Sequence, residues 1–173
     1  MNALVIPLDG WAAGERNFRS HAGLEFFQTF DNTEILDASV DVEVKVVKTG
    51  AQKVTADLQL RGTVTVPCDR CLEPLTLPVE ASQRFSVRFD ATEEDLSEDG
   101  REILQVGVAD KELDLRQAVY DYVCLSLPIQ RVHPEGGCNP DTVRFLSREH
   151  GDEEAASSSP FAALKGLFEA NNN

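Results

Sequence analysis

The sequence predicts a single α+β domain, rich in β-structure, in which a long antiparallel meander is covered by one main helix. Three consecutive segments within residues 40–89 alternate apolar and polar residues with a period of two. A later segment, residues 114–127, repeats its apolar residues at helical spacing and ends at Pro128. The chain has 173 residues, so it is long enough to bury one sizeable core.

The N-terminal region is predicted to contain one short strand and one long loop. The strand covers the apolar run at residues 4–8, which ends at Asp9-Gly10. Residues 11–31 contain two glycines and a cluster of aromatic residues, and we expect an irregular loop there. We expect its four aromatic rings to plug one end of the core. They are Phe18, Phe26, Phe27 and Phe30.

The meander is predicted from three runs, residues 40–46, 54–66 and 75–89. Apolar residues fall mainly at even positions in the first two runs and at odd positions in the third. This alternation is typical of strands with one buried and one solvent-facing side. Gly62 interrupts the second run, and we expect a bulge there that bends the strand.

The segment after the meander predicts an acidic loop, a short strand and the main helix. The loop covers residues 91–100 and the strand residues 102–108. Asp114 is the predicted N-cap of a helix over residues 115–127. We expect the apolar side of this helix to cover the apolar face of the sheet.

The C-terminal region is predicted to leave the domain. After an irregular loop, Asn139-Pro140 supplies an N-cap and a first helical residue for a short helix that ends near residue 147. We expect the domain to span residues 1–148. Residues 149–173 are predicted to form an acidic, serine-rich linker and a short amphipathic helix, which must dock on this domain or on a partner. The apolar residues of that helix are Phe161, Leu164, Leu167 and Phe168.

Charge limits the partners that the chain is expected to bind. The formal net charge is −14, which opposes broad binding of DNA, other nucleic acid or anionic lipid. Residues 90–114 hold ten acidic and two basic side chains, whereas residues 41–89 are nearly neutral. No apolar run is long enough to span a membrane, and the N-terminus lacks the features of a signal peptide. We therefore expect a cytoplasmic protein.

The turn between the second and third runs carries a pair of cysteines that core packing alone does not explain. Cys68 and Cys71 are separated by two residues and bracketed by Pro67 and Pro74. Two thiols at this spacing can share a metal ion, or they can cycle as a disulfide. In a reducing compartment the motif indicates metal or redox chemistry rather than a disulfide framework.

A metal site would need further ligands from elsewhere in the chain. Cys68 and Cys71 would supply half of a zinc site, and His133 and Cys138 would complete it, with Cys124 as the remaining candidate. The competing interpretation is that the cysteines are small turn and packing residues. Redox catalysis is a third interpretation. It is disfavoured because the motif joins two antiparallel strands and does not begin a helix.

No arrangement of residues indicates an enzyme. The three histidines are scattered at positions 21, 133 and 150. No serine lies in a nucleophile elbow, and no glycine loop has the spacing of a phosphate site. We therefore expect a non-enzymatic protein.

The order of these motifs resembles the YceD family, the large ribosomal RNA subunit accumulation proteins. The segment Val66-Pro67-Cys68-Asp69-Arg70-Cys71-Leu72 closes a strand, and an acidic loop follows. Asp114-Leu115 then opens a helix that runs into Leu125-Ser126-Leu127-Pro128, ahead of His133 and Cys138. The commonest form of the family has a second cysteine pair where this chain has Cys138-Asn139-Pro140.

The resemblance implies a non-enzymatic cytoplasmic factor that supports large-subunit ribosomal RNA accumulation or processing during ribosome biogenesis. Two direct partners are open: the RNA itself, or a basic ribosomal protein held by residues 90–114. RNA would contact the polar sheet face, where the cations are Lys53, Arg61, Arg84 and Arg88. Those cations can instead pair across strands with Asp57 and Glu80. The alternatives from other classes are a zinc-stabilised interaction module unrelated to ribosomes and a thiol oxidoreductase.

Overall fold

A computed structural model of the chain describes residues 4–8, 10, 13–50, 54–89, 102–106 and 112–148. The chain divides into two compact units. Unit 1 comprises Met1–Pro67 and Pro74–Arg131, and unit 2 comprises Cys68–Glu73 and Val132–Asn173. The acidic loop, the linker and the C-terminal helix expected from the sequence lie outside the described residues, so they stay predictions, as does the domain boundary after residue 148.

Unit 1 is built on a five-stranded mixed sheet, which confirms the β-rich α+β class. The strand order is β2-β3-β4-β5-β6, antiparallel throughout except that β6 runs parallel to β5. A second, two-stranded antiparallel sheet pairs β1 (Val5–Pro7) with β7 (Glu112–Asp114). The bounds of the five strands are Gly14–Gly23 for β2, Asp37–Lys48 for β3, Val54–Pro67 for β4, Pro74–Phe89 for β5 and Glu102–Val106 for β6.

The three central strands confirm the meander predicted from the alternation. Val42 lies opposite Leu60, and Leu60 lies opposite Ala81, so the apolar positions of the three strands share one face. Val42 and Leu60 are each 1% exposed. Each strand therefore turns every second residue towards one face, and a slip by one residue would move the whole apolar set to the other face.

Gly62 does not form the expected bulge. The register runs through it without interruption, with Val40 opposite it on β3 and Val79 on β5. A Cβ atom at this position would lie 2.1 Å from the backbone oxygen of Ser39 and 2.7 Å from Cα of Val40. The glycine thus permits the close approach of β3 to β4, which is the other structural use of glycine within a strand.

The prediction of an irregular loop at residues 11–31 is wrong, because this segment contains β2 and helix α1 (Leu24–Gln28). On the side of β2 that faces the core, Phe18 and Ala22 alternate with the polar Arg16 and Ser20. An edge strand packs less of its surface on the core and needs few apolar residues. The sequence of β2 therefore shows no regular alternation of apolar and polar residues. The aromatic rings pack on the core as expected: Phe27 is fully buried, and Phe26 meets it edge-on at 5.2 Å.

The main helix, α2 (Arg116–Ser126), packs against β5 as predicted. Its buried residues are Ala118, Val119 and Val123, and the ring of Tyr122 meets that of Phe85 at 5.8 Å. The predicted N-cap is off by one residue, because Asp114 ends β7 and Leu115 occupies the cap position.

The carboxylate of Asp114 nevertheless accepts a hydrogen bond from one of the free backbone N–H groups at the start of α2. Its Oδ1 accepts a hydrogen bond from the backbone N–H of Arg116 at 3.0 Å.

Among the described residues, no helix is long and apolar enough to cross a membrane.

Replacing Gly62 by alanine is expected to destabilise unit 1 by about 2 kcal/mol or more, because the added methyl group would force β3 away from β4. Urea unfolding followed by circular dichroism measures this loss. Gly50→Ala is the matched control, since a Cβ atom there meets nothing within 4 Å. Equal unfolding midpoints for the two variants would contradict the close approach described here.

Candidate metal centre

Both cysteines of the motif lie in a tight turn of unit 2, the cysteine knuckle, Cys68–Glu73. The N–H of Cys68 donates to the carbonyl oxygen of Glu73, and the N–H of Leu72 donates to the carbonyl oxygen of Cys68, both at 2.9 Å. Leu72 adopts a φ of 63°, a left-handed conformation that is costly for a residue with a Cβ atom. These bonds close the turn, so both sulfurs can approach one point.

A second segment of unit 2 brings in the other two candidate ligands. Between His133 and Cys138 the chain turns at Gly136, whose φ is 79°. The N–H of Gly137 donates to the carbonyl oxygen of Pro134 at 2.9 Å. This turn folds Cys138 back to 3.9 Å from Nδ1 of His133.

Helix α3 (Pro140–Arg148) begins directly after this turn. As predicted, Asn139 caps it, with its side-chain oxygen accepting a hydrogen bond from the N–H of Asp141 at 3.0 Å. The side-chain amide of Asn139 also donates to Glu73 at 3.2 Å. Asn139 therefore ties the start of α3 to the cysteine knuckle.

The ligand atoms of Cys68, Cys71, His133 and Cys138 all lie within 4.8 Å of one another and could hold a metal ion. The Sγ atoms of Cys68 and Cys138 are 3.9 Å apart, and Sγ of Cys71 is 3.5 Å from Nδ1 of His133. Around tetrahedral zinc, bond lengths of about 2.3 Å to sulfur and 2.0 Å to nitrogen would separate two sulfurs by about 3.8 Å and a sulfur and a nitrogen by about 3.6 Å. The four side chains fit such an ion.

The same distances bear on the other interpretations of the cysteines. A disulfide needs sulfurs about 2.05 Å apart, and all four cysteines are free. Cys124 is not part of the cluster, because it lies on α2 in unit 1, where burial raises the pKa of its thiol. Of the five residues considered from the sequence, the structure therefore brings four together.

The backbone stabilises thiolates within the cluster. Burial raises the pKa of Cys68, but the N–H groups of Cys71, Arg70 and His133 outweigh burial and lower that pKa to about 6. In Cys71, too, burial opposes ionisation, yet the N–H groups of Asn139 and Glu73 lower the pKa. Burial and the two neighbouring sulfurs raise the pKa of Cys138. The knuckle thus supplies the thiolate form that metal binding requires.

Sequence reasoning missed the residues that support the ligands. Glu73 and Asn139 join the two ligand-bearing segments, and the N–H of Arg70 donates to Sγ of Cys68 at 3.5 Å. The sequence signal for these supporting residues is their position in the chain, since each lies within two positions of a cysteine.

Two of the four cations proposed as a binding surface, Arg61 and Arg84, pair with carboxylates in the part of the chain that the structure describes. Arg84 donates to Asp57 at 3.2 Å, and Arg61 lies 3.6 Å from Glu80. Each pair joins residues directly opposite on β4 and β5. Arg88 lies farther along β5, on the same face as Arg84, and Lys53 lies outside the described residues. The cross-strand pairing expected for Asp57 and Glu80 is therefore present.

Comparison with known proteins agrees with the motif order. The model of the family described as "Large ribosomal RNA subunit accumulation protein YceD" matches residues 56–168, well over half of the chain. The match includes all four residues of the cluster and confirms the resemblance drawn from the sequence. No solved structure matches the chain.

The pKa of Cys68 predicts a thiolate that forms near pH 6 in the metal-free protein. Absorbance at 240 nm should rise as the pH increases through about 6, because the depressed pKa favours the ionised form above that value. Cys68→Ser should remove this step, and Cys124→Ser should retain it. A metal-free wild type that keeps its fold by circular dichroism and still forms no thiolate below about pH 8 would contradict this account of the knuckle.

Proposed function

Because the chain belongs to the YceD family of large ribosomal RNA subunit accumulation proteins, we propose that it supports the accumulation of that RNA in the cytoplasm by binding a component of the assembling ribosome. Its action is non-enzymatic. The observation that carries the proposal is the family match, which spans both the ligand cluster and helix α2. The match also favours this role over an interaction module unrelated to ribosomes.

We infer that the cluster holds zinc as a structural ion. Three thiolates and one imidazole in tetrahedral arrangement form a donor set typical of structural zinc sites. Among the described residues of unit 2, the buried apolar side chains are Cys68 and Cys71 themselves. Helix α3 is nine residues long and exposes Phe145 and Leu146. The described part of unit 2 buries so little apolar surface that it needs another source of stability, and a metal ion supplies one.

The direct partner that we propose is a basic protein of the large subunit rather than RNA. The net charge of −14 favours a positively charged partner and opposes a polyanion. The cations of the sheet face do not offset this, because Arg61 and Arg84 are paired with carboxylates. Electrostatic attraction of this kind raises the rate of association, and added salt weakens the binding.

A second candidate function, thiol oxidoreduction, is favoured by one observation: the lowered pKa of Cys68. Reactive cysteines are partly exposed, however, whereas Cys68 is 0% exposed. The sulfur of Cys138 lies 3.9 Å from that of Cys68, a separation suited to a shared ion. Failure of the metal-free protein to reduce insulin would remove this candidate.

Purified protein is expected to contain about one zinc ion per chain. Cys71→Ser and His133→Ala each remove one ligand, so zinc content after dialysis against a weak chelator should fall below about 0.2 per chain. Elemental analysis measures it, with Cys124→Ser as the matched control that keeps its zinc. A folded wild-type protein without metal would end the zinc proposal.

The protein is expected to sediment with precursor large ribosomal subunits at low salt and to be partly released at high salt, because screening weakens charge attraction. Immunoblotting of gradient fractions measures the distribution. The double variant Arg61→Ala, Arg84→Ala should sediment like the wild type if a basic protein is bound. Loss of sedimentation in this variant would indicate RNA as the partner, and a wild type confined to free fractions at low salt would overturn the ribosomal role.

A further inference from the structure

Helix α3 carries apolar side chains that the described part of unit 2 leaves uncovered. Phe145 is 71% exposed, Leu146 is 48% exposed and Val143 is half-buried. At about 100° per residue, these three side chains lie within about 160° of one another around the helix, and the charged residues of α3 lie on the opposite side. A helix with such an apolar stripe is stable when another element covers it.

The length of α3 makes this cover necessary. The helix has nine residues, and isolated helices shorter than about 12–15 residues are marginal in water. The Asn139 cap holds its first turn through the N–H of Asp141. Phe145 and Leu146 lie in the second half of the helix, beyond the reach of this cap. That half therefore depends on apolar packing.

A matching apolar set lies in the chain that follows α3. Four apolar residues would lie within about 120° of one another if residues 161–168 form a helix. They are Phe161, Leu164, Leu167 and Phe168. Pro160, directly before them, suits the first helical position. This predicted helix lies outside the described residues, and it is also too short to be stable alone. The family match runs to residue 168, so it includes α3 and this apolar set together.

The connection between α3 and this set favours a contact within one chain. Both belong to unit 2. Residues 149–160 separate them, and a linker of this length can span up to about 40 Å, whereas α3 is about 14 Å long. Any point on α3 is therefore within reach. Such a linker gives the segment an effective concentration of about a millimolar at α3, which a free partner at micromolar concentration does not match.

From these observations we propose that residues 161–168 form a helix that packs its apolar side on Phe145 and Leu146 of α3. The two short helices then stabilise each other, as the helices of an αα-hairpin do. The contact is apolar, so added salt does not weaken it, unlike the electrostatic attraction proposed for the ribosomal partner. The inference goes beyond the proposed function and does not depend on it.

Hydrogen–deuterium exchange of the full-length protein as purified tests this contact. In the wild type, amides of residues 161–168 should exchange at least about tenfold more slowly than in a free peptide of that sequence, at low and at high salt. Phe145→Asp should remove the protection, because a buried carboxylate opposes the apolar contact. Ile129→Asp is the matched control, since it places the same charge at a residue of unit 1 that is 101% exposed, and it should keep the protection.

A reciprocal variant separates loss of the contact from damage to α3 itself. Leu164→Asp leaves every described residue unchanged, and it should raise the rate at which hydroxyl radicals oxidise the ring of Phe145 by about twofold or more. Oxidation of Ile129 in the same sample should not change.

Free-peptide exchange rates in the wild type, or protection that survives Phe145→Asp, would overturn the proposal. Protection that appears only as the protein concentration rises would assign the α3 surface to a second copy of the chain, and it would overturn the proposal too. None of these results bears on the ribosomal role, which the gradient sedimentation tests separately.

Discussion

The convergence of four ligand atoms from two distant segments is the constraint on which unit 2 depends. Cys68 and Cys138 are 70 residues apart in sequence, and their sulfurs are 3.9 Å apart. In the described part of unit 2, the first segment is a six-residue turn, the second is a loop followed by α3, and the buried apolar side chains are Cys68 and Cys71 themselves. Coordination of one ion would fix both segments at once, which is how metals stabilise units too small for a core.

The charges on the polar face of the sheet in unit 1 are largely paired. The polar face of its sheet carries a ladder of cross-strand ion pairs, in which Arg19 contacts Glu43 and Lys45 contacts Glu15, each at 2.9 Å. Exposed pairs of this kind add little stability, but they leave the face nearly neutral. Together with the net charge of −14, this pairing supports the proposed basic protein partner over a polyanion.

The sequence was sufficient where a pattern extends over many residues. The alternation through β3, β4 and β5 predicted the meander, and the cysteine spacing, with His133 and Cys138, predicted the cluster. Both patterns reflect strong local constraints: the two-residue repeat of a strand and the geometry of a tight turn. The family resemblance also came from such motifs.

The sequence was insufficient where tertiary contacts decide the structure. The sequence does not reveal β2, because this edge strand buries only Ala22 and half-buries Phe18 among polar residues. A glycine inside an alternating run predicts a bulge, because the pattern does not distinguish a bulge from the close approach of Gly62 to Ser39 on β3. The pairing of Arg84 with Asp57 depends on register, which sequence alone left open between RNA contact and ion pairing.

X-ray absorption at the zinc edge of purified protein tests the central claim most directly. The account predicts one zinc ion with three sulfur neighbours at about 2.3 Å and one nitrogen neighbour at about 2.0 Å. A first shell made only of oxygen and nitrogen, or one with fewer than three sulfurs, would contradict the convergence of Cys68, Cys71, His133 and Cys138 on one ion.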